Sequence, residues 1–175
     1  MPSILLHAAI HELQCESFFI PQTDCEQCMP EQTDNKVMSS RAPKAVGKYP
    51  HARWVGEFLF LSGIGPRETN SDKIAGLVQG ADGTILEYDF AAQCRSVLNN
   101  IRVIIEDAGA RWEDIVDVTV FLINMKKDFA TMNQIYAEHF TDNLPTRTTV
   151  EVNCLPTPIA IELKVICHVP GGRKL

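Results

Sequence analysis

The strongest constraint in this 175-residue chain is an alternating segment near its C-terminus, residues 159–169. Apolar side chains occupy every second position there and therefore share one face of an extended strand: Ile159, Ile161, Leu163, Val165, Cys167 and Val169. The opposite face is mixed, with Ala160, Glu162, Lys164 and Ile166. A strand of this kind buries one face against a core, so the fold needs a layer that covers that face.

Two helical patterns can supply that layer. After Asp89, a good N-cap residue, apolar residues recur at helical spacing until Gly109 favours a stop. Asp128 is predicted to cap a second helix that continues to about residue 141. The chain therefore contains two amphipathic helices, separated by about 20 residues.

The remaining patterned segments read as strands. Residues 51–55 and 58–62 flank a turn at Gly56 and predict a hairpin, while residues 117–124 and 146–152 are rich in β-branched side chains. The resulting order, β-β-α-β-α-β-β, predicts an α+β fold in which a mixed sheet carries two helices on one face. Two helices cannot cover both faces. We therefore expect the other face to be buried by self-association, most simply in a closed cyclic oligomer.

The N-terminal residues differ from the rest of the chain. We predict an acidic extension over residues 1–40 and a folded domain over 41–175, because residues 1–37 hold six acidic residues against Lys36 alone. A chain beginning at Met38 is expected to keep its oligomer and activity. The alternative is a zinc site in the extension, from ligands that share a helical face or a Cys-x-x-Cys pair: His7, His11, Cys15, Cys25 and Cys28. Since their spacing matches no common zinc module, we predict no metal site.

Charge and cysteine usage exclude several classes. The formal net charge is −6, and residues 38–175 are almost neutral, with 15 basic and 16 acidic residues. Duplex binding normally needs a basic excess, so nucleic acid is not expected as a partner. No apolar run approaches the length of about 18 residues that a membrane helix needs. The cysteines lack the spacing of a disulfide framework and the N-terminus lacks a basic signal region, which favours a reducing, cytoplasmic location.

Two charged residues interrupt predicted strands. Arg147 stands at the start of one strand, and Glu162 lies within the apolar final strand. Strand pairing would bring them together, and the alternative interpretation is a structural ion pair. The sequence lacks a P-loop, a Gly-x-Ser-x-Gly elbow and a His-Glu-x-x-His helix, so these two residues are the first candidates for chemistry.

Several motifs then carry a resemblance. Among them are Phe58-Leu-Phe-Leu-Ser-Gly63, the helix end Asp107-Ala-Gly109, residues 114–122 and Pro145-Thr-Arg-Thr-Thr-Val150. From about residue 42 to 169, the chain resembles the reactive-intermediate deaminase (Rid, YjgF) family. The resemblance implies a chorismate-mutase-like fold, a homotrimer and active sites in clefts between subunits.

Within that family, residues 48–51, 62–67, 110–114 and 155–163 are most similar to the 2-aminomuconate deaminase subgroup. The resemblance implies a cofactor-free hydrolase that releases ammonia from 2-aminomuconate or a related enamine or imine acid. It places the carboxylate-binding arginine at Arg147, the catalytic acidic residue at Glu162 and an active-site tyrosine at Tyr49. General imine deaminases often have cysteine where this chain has Thr149, a departure that bears on the substrate rather than on hydrolysis.

Two further site residues are inferred from chemistry, the first of them from the need of a dicarboxylate for a second cation. Arg67, in a glycine-bearing loop, is a candidate second cation, and its alternative is a solvated loop arginine. His51 could exchange protons near neutral pH, and its alternative is a structural histidine. A non-catalytic, regulatory trimer that binds small carboxylates is the competing function. Ribonuclease activity, attributed to relatives in this family, is disfavoured by the charge.

Overall fold

In a computed structural model, the chain divides into residues 1–33 and 34–175, and the described residues are 34–71 and 73–173. They form a six-stranded sheet, a separate two-stranded ribbon and two helices. In chain order the elements are β1 (Lys36–Val37), β2 (Ala52–Val55), β3 (Phe58–Leu61), β4 (Leu77–Gln79), β5 (Ile85–Tyr88), α1 (Phe90–Asp107), β6 (Ile115–Leu122), α2 (Met125–His139), β7 (Thr146–Glu151) and β8 (Ile161–His168).

The large sheet has the strand order β1-β2-β3-β8-β6-β7. Strands β6 and β7 run parallel, and the other neighbours are antiparallel, so the sheet is mixed. The alternating strand predicted from the sequence is β8, and it lies near the centre of the sheet. The predicted α+β fold, a mixed sheet with two helices, is confirmed.

Helix α1 begins and ends where local chemistry dictates. The carboxylate of Asp89 accepts a hydrogen bond from the Ala92 N–H at 3.0 Å, which satisfies one of the free donors of the first turn. Gly109 follows the helix with φ of +83°, a left-handed conformation that costs glycine little. Both ends of this helix were predicted from the sequence and are confirmed.

Helix α2 begins four residues earlier than expected. Its N-cap is Asn124, whose side-chain oxygen accepts from the Lys127 N–H at 3.0 Å. Asp128, the predicted cap, lies in the first turn, where its buried carboxylate accepts a 2.7 Å hydrogen bond from the Tyr88 hydroxyl. This contact joins the β4–β5 ribbon to α2. The prediction failed because Asn124 and Asp128 are both good caps and tertiary contacts decided between them.

The sheet also begins earlier than the predicted boundary at residue 40. Strand β1 pairs with β2, and the Asn35 carbonyl accepts from the Trp54 N–H at 2.8 Å. Val37 is buried in the core. Residues 36–40 are therefore part of the folded domain, although two-residue strands carry too little pattern to be read from sequence. The candidate zinc ligands between His7 and Cys28 lie outside the described residues.

The two faces of the sheet have different surroundings. On one face, side chains of β6 and β8 pack beneath the helices and are almost fully buried, among them Val118, Val120, Leu163 and Val165. The other face has no covering layer among the described residues, and it exposes large apolar side chains: Val55, Phe58, Phe60 and Val150. Across residues 34–71 and 73–173, neither helix has the length and apolar character that crossing a bilayer requires.

Candidate active site

A pocket of about 130 Å³ lies at the start of β8 and brings together three of the five predicted site residues. Tyr49, Arg67 and Glu162 all line it. Its other walls come from the loops before β2, after β3 and before β8: Val46, Gly63, Gly65, Pro156, Thr157 and Ile159. A carboxylate, a guanidinium and a phenol therefore converge on one small cleft.

Glu162 is half-buried, and its burial raises the pKa of the carboxyl group above the ordinary value. Among the described residues, no hydrogen-bond donor or cation contacts its side chain within bonding distance. A carboxylate without such partners is a better proton acceptor than one held in an ion pair, because no donor or cation stabilises its charged form. The position suits a general base.

Gly63 explains how the carboxylate fits. A Cβ atom built at Gly63 would overlap the carboxylate of Glu162, with only 2.8 Å to Cδ. A side chain at this position would therefore displace the Glu162 carboxylate from its place in the pocket. Residue 63 stood within the resemblance motif, but the sequence alone did not assign it this role. A glycine directly after a strand is the signal that could have found it.

Arg67 lines the pocket from the loop that follows β3. One Nη2 hydrogen donates to the Lys44 carbonyl, which leaves other guanidinium donors available. Tyr49 is 40% exposed beside it. The expectation that Arg67 stands at the site is consistent with this placement, and contact with substrate remains a prediction.

His51 borders a smaller neighbouring cavity rather than the Glu162 pocket. The ring is buried, Nδ1 accepts from the Ser39 N–H at 2.9 Å, and Nε2 bonds the Pro43 carbonyl at 2.9 Å. Since the carbonyl can only accept, Nε2 carries the hydrogen and the ring is in its neutral tautomer. Both nitrogens are thus committed to the backbone of residues 39–43. This geometry agrees with a structural role for His51. It does not agree with proton exchange between His51 and substrate.

Arg147 stands apart from the other predicted site residues. Strand β6 separates β7 from β8, and Arg147 pairs in register with Val118, on the helix-covered face. Glu162 pairs with Phe121, on the open face. The expectation that strand pairing joins Arg147 to Glu162 is therefore wrong within one chain. The error arose because β7 follows β6 in parallel, which a pattern of residues does not reveal.

Tyr136 and Met132, both on α2, hold the Arg147 side chain. Its Cζ atom lies 4.6 Å from the centroid of the Tyr136 ring, a cation–π contact, and Nη1 lies 3.9 Å from the Met132 sulfur. Burial raises the pKa of Tyr136 to about 12, so the phenol stays neutral beside the cation. The guanidinium itself remains exposed at the edge of the sheet. The sequence did not indicate this contact of Tyr136 with a candidate site residue, although its position in a helical stripe was predictable.

Two of the three described cysteines are buried, and the exposed third, Cys154, does not line the pocket. Cys94 and Cys167 are buried, which raises the pKa of each thiol to about 12 and leaves little thiolate for nucleophilic attack. Within residues 34–71 and 73–173, no group of three or more His, Cys, Asp or Glu side chains is placed to bind a metal ion. The chemistry of the pocket therefore rests on its carboxylate, phenol and guanidinium.

Comparison with known proteins places this geometry in a family. The family model described as Endoribonuclease L-PSP matches residues 39–169. The chain belongs to this family, the Rid/YjgF family. A RutC family protein from Pyrococcus abyssi is 36% identical over 132 residues, which cover 75% of this chain and 94% of the relative.

Two further similarities concern Escherichia coli proteins of the Rid/YjgF family. A 2-iminobutanoate/2-iminopropanoate deaminase is 33% identical over 133 residues, covering 74% of this chain and 94% of the relative. The crystal structure of the YjgF gene product has a TM-score of 0.64 and 33% identity, covering 76% of this chain and 97% of the other. The chorismate-mutase-like fold implied by the resemblance is thereby confirmed.

Proposed function

We propose that this Rid/YjgF protein is a hydrolytic deaminase that converts an enamine or imine carboxylic acid into the oxo acid and ammonia. The observation that carries the proposal is the half-buried, unpartnered Glu162 carboxylate in a pocket with Arg67 and Tyr49. The related Escherichia coli protein named as a 2-iminobutanoate/2-iminopropanoate deaminase supports the same reaction class.

The reaction needs positioning, a base and a proton donor. An arginine holds the substrate carboxylate through two parallel hydrogen bonds and thereby fixes C2. The enamine becomes the imine by gaining a proton on carbon and losing one from nitrogen. Water then adds to C2 while Glu162 accepts one of its protons and the nitrogen gains a proton, which gives the carbinolamine. Transfer of a proton to nitrogen allows ammonia to leave as the C–N bond breaks, and the remaining hydroxyl becomes the carbonyl. Tyr49 is the candidate for the proton shuttle.

The specific substrate that we propose is 2-aminomuconate or a close analogue. This molecule has a carboxylate at each end, so two cations are needed. Arg147 takes the carboxylate next to the reacting carbon, and Arg67 in the pocket takes the distal one. Substrates with a single carboxylate would use only one of these residues.

We further propose that the complete site forms between copies of the chain in a homotrimer. Arg147 and Glu162 lie on opposite faces of the sheet, so one chain does not hold both against one substrate. Arg147 is exposed on the edge strand β7, where a neighbouring chain can approach it. The site would therefore combine Arg147 of one copy with Glu162, Tyr49 and Arg67 of the next.

The open face of the sheet supports this assembly. Phe58 and Phe60 are 43% and 38% exposed, and Val55 and Val150 lie on the same face. Burial of such side chains stabilises association by about 25 cal/mol per Å² of apolar surface. A closed ring of three copies would cover this face on every copy, so that no open surface would remain for a fourth copy to bind.

The direct test is an ammonia-release assay with purified protein and a panel of acids. We expect turnover with 2-aminomuconate, and a lower kcat/KM with 2-iminopropanoate because it lacks the distal carboxylate. Equal or better turnover of 2-iminopropanoate would still support deaminase activity, but it would refute the proposed specificity for a dicarboxylate. Saturable binding of the acids without ammonia release would instead support the non-catalytic carboxylate-binding trimer.

A second test addresses the shared site. Arg147→Ala and Glu162→Gln are each expected to be inactive, and co-expression of the two should restore activity. With random mixing in a trimer, roughly one quarter of the interfaces receive both intact residues. No recovery in verified mixed oligomers would mean that Arg147 and Glu162 do not serve one inter-subunit site.

A further inference from the structure

Helix α1 carries a polar stripe that faces the pocket loops. Gln93, Ser96 and Asn100 follow the spacing i, i+3, i+7 and therefore share one side of the helix. Gln93 is 0% and Asn100 4% exposed, although both side chains are polar. Polar groups are expensive to bury unless their hydrogen bonds are made, so the partners of this stripe are informative.

Three consecutive carbonyls of the loop after β3 accept hydrogen bonds from the stripe. The Asn100 amide donates to the carbonyls of Gly65 and Arg67, both at 2.9 Å, and the Ser96 hydroxyl donates to the Pro66 carbonyl at 3.1 Å. Both hydrogens of the Asn100 amide are thereby used. The backbone that carries Arg67 is thus bound to the interior of the protein.

The same loop is tied to β8 beside Glu162. The Ile64 N–H donates to the Leu163 carbonyl at 2.9 Å, and the Leu163 N–H donates to the Ile64 carbonyl at 3.0 Å. Gln93 accepts from the Ala160 N–H at 2.7 Å, two residues before Glu162. The backbone segments that bear Arg67 and Glu162 are therefore both hydrogen-bonded to side chains of α1.

We infer that Asn100 is a positioning residue that fixes Arg67 opposite Glu162 for binding of the distal substrate carboxylate. The inference rests on the proposed function, because it assigns a carboxylate to Arg67. Asn100 itself does not line the pocket and acts through the backbone of residues 65–67. Loss of its two donors leaves two carbonyls without their partners and frees the loop to move.

The experiment compares Asn100→Ala with Val97→Ala, a core truncation on the same helix, and with Ser96→Ala as the milder loop variant. We expect Asn100→Ala to raise KM for 2-aminomuconate by about 10-fold while kcat changes by less than about 3-fold. Ser96→Ala should shift KM in the same direction by a smaller factor. Val97→Ala should lower the melting temperature and leave KM unchanged.

A double variant shows whether Asn100 acts through Arg67. If it does, Arg67→Ala and Arg67→Ala/Asn100→Ala have the same KM, because the residue to be positioned is already absent. Additive effects of the two substitutions, or an equal rise in KM for Val97→Ala, would overturn the inference.

Hydrogen–deuterium exchange supplies a measurement that needs no substrate. The amides of Ile64, Gly65, Arg67 and Glu68 should exchange faster in Asn100→Ala than in Val97→Ala at matched stability. Unchanged exchange in this loop would overturn the inference, whatever the activity. If the wild-type protein releases no ammonia, the proposed function fails, and loop exchange together with the affinity for a dicarboxylate ligand still decides the role of Asn100.

Discussion

The two faces of the central sheet have opposite relations to solvent. Under the helices, Val118 and Val120 are 0% exposed, whereas Val55 on the open face is 56% exposed and Phe58 43%. The helix face is completed by the chain itself. The open face presents a comparable set of apolar side chains that no element of residues 34–71 and 73–173 covers, and it also carries Glu162. One face is therefore buried by folding, and we propose that the other combines association with chemistry.

The predicted reactive groups also lie on different faces of the sheet. Glu162 belongs to the open face, while Arg147 projects from the helix face at the edge of the sheet. A site that uses both must be assembled from more than one copy. The comparison thus predicts that substitutions on the two faces differ in whether they alter catalysis, association or stability.

The largest effect is expected from Glu162→Gln. This nearly isosteric change removes the base, and kcat should fall by about 10²- to 10⁴-fold. The exposed Glu87→Gln on β5 is the matched control and should retain full activity. Normal turnover by Glu162→Gln would place water activation elsewhere.

Arg147→Lys should follow, with a fall in kcat/KM of about 10²-fold or more while the oligomer is kept. Lysine preserves the charge but lacks the planar fork, and it loses the cation–π geometry over Tyr136. Light scattering should report the wild-type mass alongside the kinetic measurement. Unaltered kcat/KM would remove Arg147 from the site.

Phe60→Asp and Leu163→Ala test the two faces against each other. Phe60→Asp places a charge on the open face and should dissociate the oligomer, as measured by light scattering. Leu163→Ala leaves a cavity on the helix face and should lower the free energy of unfolding by about 2–5 kcal/mol without changing the oligomeric mass. If Phe60→Asp leaves the mass unchanged, the open face is not the association surface.

The pKa of Glu162 gives a smaller effect that depends on pH. Burial raises this pKa in the folded state, so the folded protein binds more protons than the unfolded chain between the two pKa values. The contribution of Glu162 to stability is thus present at low pH and is lost as pH rises through the folded pKa. Relative to wild type, Glu162→Gln should gain melting temperature as pH increases from about 4 to 7. A difference that is independent of pH would contradict the desolvated carboxylate.

Truncation should have the smallest effect. A chain that starts at Asp34 is expected to keep the wild-type oligomer, activity and melting temperature. A chain that starts at Met38 loses β1 and its hydrogen bonds to β2, and it should melt a few degrees lower with its activity retained. Stoichiometric zinc in the full-length protein, with a lower melting temperature after chelation or after removal of residues 1–33, would contradict the dispensable extension.

Local chemistry predicted most of the fold. The alternation along β8, the Asp89 cap and the Gly109 stop each depend on a few neighbouring residues, so the sequence contains the whole signal. The start of α2 depended on the Tyr88 contact with Asp128 across 40 residues of chain. Such a contact is a property of the packed structure and leaves no local pattern.

The candidate site, like the fold, was predicted from the sequence only in part. The resemblance motifs led to Tyr49 and Glu162, the need for a second cation led to Arg67, and these three residues share a pocket. The committed hydrogen bonds of His51 and the position of Arg147 on the other face were not predictable. They depend on the path of residues 39–43 and on the order of strands in the sheet, which residue types alone do not encode.

The two pocket glycines have different value for protein engineering. At Gly63 an added methyl group meets the Glu162 carboxylate itself, so variation there displaces the candidate reactive group. At Gly65 the same methyl group meets only the Cδ1 end of Ile159, at 2.8 Å, and this terminal atom can rotate away. A library aimed at smaller substrates should therefore keep residue 63 constant and vary residues 65 and 159 together.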